Sequence, residues 1–135
     1  MRNRLGAVNH IGIAVANLEE AKKTFSDTLG LPCVEEKSLP DRGLRIAVLS
    51  AGNTAVELLE GTTPESTVAK FVQQRGPGLH HLCFEVEGIE RVMGELAASG
   101  MRLIDEKPRL GAEGRLVAFV HPKSTLGVLI ELIEK

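Results

Sequence analysis

Four residues of this sequence have types and positions that metal chemistry uses: His10, Glu57, His81 and Glu131. Each histidine opens an alternating apolar run, HIGIAV at 10–15 and HLCFEV at 81–86. Each glutamate lies inside a second such run, AVELLE at 55–60 and LIELIE at 129–134. In a β-strand successive side chains point to opposite faces. Ile11, Ile13 and Val15 therefore share one face, with His10, Gly12 and Ala14 on the other. Leu82, Phe84 and Val86 likewise oppose His81, Cys83 and Glu85. The same alternation separates Val56 and Leu58 from Glu57, and Ile130 and Leu132 from Glu131. With the large apolar residues packed on helices, the histidines and glutamates are left to line a concave surface. A carboxylate inside an apolar strand is costly unless something pairs it. Two imidazoles and two carboxylates form an N₂O₂ donor set that leaves coordination positions open on a divalent ion. Such a set admits Co, Mn, Ni or Zn, and also Fe. Taken singly, each residue has an ordinary reading, a hydrogen-bonded strand-start histidine or a solvent-facing glutamate. Their matched positions set the four apart. His80 competes with His81, but it falls one residue earlier and points to the opposite face.

The elements that must position these residues also recur. Residues 10–34 and 81–104 each run from a histidine-led strand into an amphipathic helix that ends at a glycine, Gly30 or Gly100. A short apolar stretch follows in each, LPCV and MRLI, expected as a strand, and each half closes with its glutamate strand. The chain thus reads as two copies of a β-α-β-β-β unit. The expected fold is a single α+β domain, with module 1 at about 5–61 and module 2 at about 79–135. The two βαβββ modules would form a cupped mixed sheet around the metal site, with helices on the outer face. The linker, about 62–78, carries a short helix from about Ser66 to Gln74, capped by Thr63 or Ser66 and ended by Gly76-Pro77-Gly78.

Composition narrows the function classes. A chain of 135 residues that is 43% hydrophobic and 25% charged suits one compact domain rather than disorder. A net charge of −2 gives no broad basic surface for nucleic acid. With no Trp or Tyr and only four Phe, stacking platforms for bases are not expected either. No apolar run reaches membrane-spanning length, and MRNRLGAVNH lacks a signal-peptide stretch, so a cytoplasmic location is expected. Cys33 and Cys83 are too few for a disulfide framework, and both are expected to be buried thiols.

Several segments carry a resemblance: VNHIGIAV (8–15), STVAKF (66–71), GLHHLCFEV (78–86), DEKPRLG (105–111), and FVHPKS with GVLIEL (119–132). On them the chain resembles the vicinal oxygen chelate superfamily, also known for glyoxalases, bleomycin resistance proteins and dioxygenases. Within it the chain is similar to the methylmalonyl-CoA epimerases. The resemblance implies an isomerase of propionate metabolism that interconverts the (2R) and (2S) forms of methylmalonyl-CoA through an enolate. It implies a divalent metal held by His10, Glu57, His81 and Glu131, a coenzyme A thioester substrate and a homodimer. One departure matters. Some epimerases have Gln at the Glu57 position and a catalytic Glu on the preceding strand, where this chain has Ile46. Glu57 and Glu131 are therefore the expected bases, with Asp41 of LPDRG in reserve or else only a turn residue. His121, Lys123, Ser124, Lys107 and Arg109, together with Arg115, are candidates for the substrate's carboxylate and phosphates; the other reading is an ordinary solvated loop. Residues 111–114 are either a flap or a hairpin turn. The rival activity is that of lactoylglutathione lyase. A ring-cleaving dioxygenase would use two His and one carboxylate. A non-catalytic small-molecule binding protein of this fold is the remaining alternative.

Overall fold

The computed structural model describes residues 4–135. It resolves into two compact units, His10–His80 and a second made of His81–Lys135 with the residues before His10. The division falls at the two histidines where the sequence begins to repeat.

The first unit holds most of β1 (Val8–Val15), then α1 (Leu18–Lys22), β2 (Cys33–Leu39), β3 (Leu44–Ser50), β4 (Ala55–Gly61) and α2 (Thr67–Arg75). Its strands bond in the order β2-β3-β4-β1, with β1 and β4 parallel and the other neighbours antiparallel. Asn17 starts α1, its side chain accepting from the Glu20 N–H at 2.9 Å. The helix continues as a π-helical turn over Lys23–Thr28, and Gly30 follows at φ +86°, where a side chain would be strained. Ser66 caps α2 by accepting from the Ala69 N–H at 3.0 Å. The linker helix expected from about Ser66 to Gln74 thus forms within a residue of its expected limits.

The two faces of this unit are covered differently. Val15, Leu18, Ala47, Leu49 and Leu58 make one buried cluster, joined by Phe25 and Val56, so α1 covers that face. Ala14, Ile46, Leu59 and Val68 make another, joined by Phe71 and Val72 of α2. Ala14 alternates with Ile13 and Val15, so α2 shields part of the face that also carries His10 and Glu57. Three apolar strand residues at that end would otherwise meet water, which burial against α2 prevents.

The second unit holds most of β5 (Gly78–Val86), then α3 (Ile89–Ala98), β6 (Arg109–Leu110), β7 (Leu116–Val120) and β8 (Ile130–Glu134). The order is β5-β8-β7-β6, with β5 and β8 parallel and the rest antiparallel. Reading outward from the histidine strand, this is the arrangement of the first unit. Val86, Ile89, Val92, Met93, Ala118, Val120 and Leu132 form its core under α3.

Two sequence expectations need correction. MRLI does not form a strand; it contributes only a bridge from Leu103 to Val120. Two residues later the Asp105 carboxylate takes the Phe119 N–H at 2.8 Å, so a side chain occupies a donor that a ladder would use. Cys83 is fully buried as expected, whereas Cys33 is exposed, at the start of a strand bonded on one side only.

The N-terminus of α3 is capped from far along the chain. Gly88 has no side chain to offer, and Glu134 accepts from the Gly88 N–H at 2.9 Å and the Ile89 N–H at 2.8 Å. These bonds, Ile89's first, hold its carboxyl below the ordinary value of 4.5. A pKa lowered on folding contributes stability above the unfolded value, and that contribution is lost as pH falls through the folded one. Glu134→Gln should lower the unfolding free energy by about 1 kcal/mol at pH 7. The difference from the parent should shrink once pH falls below 4.5, which urea titrations at the two pH values will show.

Candidate functional site

In each unit the strand register brings a histidine and a glutamate together in the same way. Glu57 lies beside Gly12, two residues after His10. Glu131 lies beside Cys83, two residues after His81. A step of two keeps side chains on one face, so each glutamate reaches back to its histidine. His10 Nδ1 is 3.4 Å from Glu57 Oε2, and His81 Nε2 is 3.1 Å from Glu131 Oε1. The histidine side chains are each 7% exposed and the glutamates 15% and 12%. Such burial of a carboxylate is tolerable because a partner is in place.

The register of the second histidine follows directly. His80 packs edge-on against Phe71, ring centroids 5.0 Å apart, and the Arg75 guanidinium lies over the same Phe71 ring. His81, not His80, meets Glu131. Asp41 sits exposed in a 3₁₀ turn, Pro40–Arg42, before β3. Val48 is the β3 residue beside Glu57, and Leu44 at the start of β3 is four residues earlier, about 13 Å along the strand. Ile46 is 6% exposed and packed with Ala14 and Leu59.

Around the second pair, Phe119 lies beside Glu131 in the ladder, and its ring stands edge-on to His81 at 6.1 Å. The Arg109 guanidinium lies over Phe119 at 5.6 Å, and its Nε donates to Asp105 at 3.0 Å. Arg109 is thus held close to the His81–Glu131 pair. Asp105 was not singled out by the sequence reading; its signal was an acid four residues before Arg109, inside DEKPRLG. Lys107 and Lys123 are exposed. His121 Nδ1 accepts from the Lys123 N–H at 3.0 Å, capping a 3₁₀ turn over Pro122–Ser124, and Ser124 Oγ accepts from the Arg102 N–H at 2.8 Å. Burial, then the charges of Arg102 and Lys123, lower the His121 pKa. Both side chains secure the turn that presents Lys123. Arg115 pairs with Glu113 at 3.1 Å, and Gly111–Gly114 close a hairpin turn between β6 and β7.

As a donor set, each pair offers a ring nitrogen and a carboxylate oxygen, both largely withdrawn from water. That is the chemistry a borderline divalent ion takes, so these residues fit a metal.

A family model described as the glyoxalase/bleomycin resistance protein/dioxygenase superfamily matches residues 9–119. The chain belongs to this superfamily. Among its relatives, the human mitochondrial methylmalonyl-CoA epimerase is 38% identical over 129 residues, covering 95% of this chain and 73% of that protein. The crystal structure of methylmalonyl-CoA epimerase from Mycobacterium tuberculosis superposes with a TM-score of 0.90 at 35% identity, covering 99% of this chain and 91% of that one. A Streptomyces coelicolor methylmalonyl-CoA epimerase variant in complex with 2-nitronate-propionyl-CoA gives a TM-score of 0.89 at 30% identity, covering 97% of this chain and 98% of the other. The β-α-β-β-β repeat is therefore the superfamily's module. No helix among the described residues is long and apolar enough to cross a membrane.

Proposed function

We propose that this chain is a metal-dependent methylmalonyl-CoA epimerase. The observation that carries the reading is the His–Glu pair built twice with one register, His10–Glu57 and His81–Glu131. The relatives named for this activity support it. In this reading both pairs serve a single divalent ion, Co, Mn, Ni or Zn, through two ring nitrogens and two carboxylate oxygens.

The substrate carbon lies between a thioester and a carboxylate. A base takes its proton, the C–H electron pair moves toward the thioester oxygen, and a proton returns to the other side of the same carbon. When bound, the divalent ion supplies positive charge that stabilises the enolate. Glu131 supplies proton transfer from one side. The first unit must supply it from the other, and Glu57, the matched carboxylate, is the group that the repeat alone offers. Arg109, Lys107 and Lys123 are suited to the anionic parts of the coenzyme and acyl group. His121 and Ser124 hold the turn that carries Lys123. The reading includes a coenzyme A thioester as substrate, a cytoplasmic location and a homodimer, the last tested by sedimentation at micromolar concentration.

The test is a choice of substrates. The metal-loaded protein should epimerise methylmalonyl-CoA and leave the hemithioacetal of glutathione and methylglyoxal untouched. Turnover of the hemithioacetal alone would make it a lactoylglutathione lyase, and turnover of neither would point to the binding protein.

A further inference from the structure

The face of the first unit that holds His10 and Glu57 carries another carboxylate. In β2, Cys33 pairs with Leu49 but Glu35 pairs with Val48, so Val34 is an extra residue and the strand bulges there. Leu49 packs in the α1 cluster, which places Cys33 on the α1 side. Continued alternation would send Glu35 to that side too. The bulge shifts the phase by one, and Glu36 points to α1 instead, bonded by Lys22 Nζ at 2.9 Å. Glu35 then lies in one row with Val48, Glu57 and Gly12, on the face of His10.

We infer that Glu35 is the second proton-transfer base, leaving Glu57 to the metal. This rests on the epimerase reading. Glu35 and Glu57 stand two strands apart, about 9–10 Å at the backbone. Side chains leaning inward from that spacing can bring a carbon between them within the roughly 3 Å reach of a proton acceptor. Glu57 is buried against His10, within the proposed donor set. Glu35 lies outside that set, two strands away. Its side chain is 53% exposed, and Lys37, from the next row of the same face, holds its ammonium 3.8 Å away. Val48, half-buried, lies between the two carboxylates in their row. In one direction Glu35 takes the α-proton as the C–H bond breaks, and the protonated carboxyl of Glu131 gives its proton to the other side of that carbon. In the other direction the two exchange roles, so protons and electrons balance.

The test uses the full-length, metal-loaded chain in D₂O, with each epimer of methylmalonyl-CoA supplied separately. Glu35→Gln should slow epimerisation by roughly 100-fold or more. One epimer should still exchange its α-hydrogen near the parent rate while the other stops. Bound metal per chain and Tm should be unchanged, because Glu35 touches neither the pair nor the core. Parent-rate epimerisation by Glu35→Gln would overturn the inference, as would equal loss of exchange for both epimers. A parent protein that exchanges neither epimer would instead overturn the epimerase reading, and this inference with it.

Discussion

His10→Ala and His81→Ala proteins should lose divalent-metal affinity by more than about 100-fold, and epimerisation with it, while remaining folded. Each change removes one nitrogen of the proposed four-donor set. The fold should survive because the cores of the two units are assembled elsewhere, under α1 and α2 in one and α3 in the other. Some stability will go, since Glu57 or Glu131 loses its contact with the histidine, at a cost of about 1–3 kcal/mol. Equilibrium dialysis with circular dichroism separates loss of metal from loss of fold. His80→Ala is the control. That ring packs on Phe71, so metal binding should stay at the parent value. Full activity in metal-free His81→Ala protein would end the metal account.

Glu131→Gln should leave metal affinity within about tenfold, because an amide oxygen can still coordinate, yet slow epimerisation by about 10²–10⁴-fold. The amide cannot accept the α-proton. With one base left, exchange with D₂O should persist for a single epimer, the opposite one to that retained by Glu35→Gln. Proton NMR of each epimer in D₂O reads both effects. Equal exchange of the two epimers by Glu131→Gln would remove Glu131 from the proton path.

Strand period put His10, Glu57, His81 and Glu131 on one face of their strands and turned His80 away, and the repeat set the four apart. Which glutamate meets which histidine came only with the strand register. Gly30 and Gly100 marked the helix ends for an equally local reason, since each takes a positive φ. What was not legible depends on one-residue shifts or on distant partners. The bulge at Val34 reverses the faces of Glu35 and Glu36, and nothing in CVEEKSL announces it. Asp105 replaces a strand at MRLI with a side-chain bond to Phe119, and Glu134 caps a helix that begins at Ile89. That α2 would cover Ile46 and Leu59 on the histidine's own face likewise became visible only in the packing.

The most direct test of the central claim is deuterium uptake from D₂O into methylmalonyl-CoA, with and without a chelator. The metal-loaded protein should place deuterium at the α-carbon and bring the two epimers to balance. Chelation should stop both, and added divalent metal should restore both. Undiminished exchange by the chelated protein, or none by the metal-loaded one, would contradict the account.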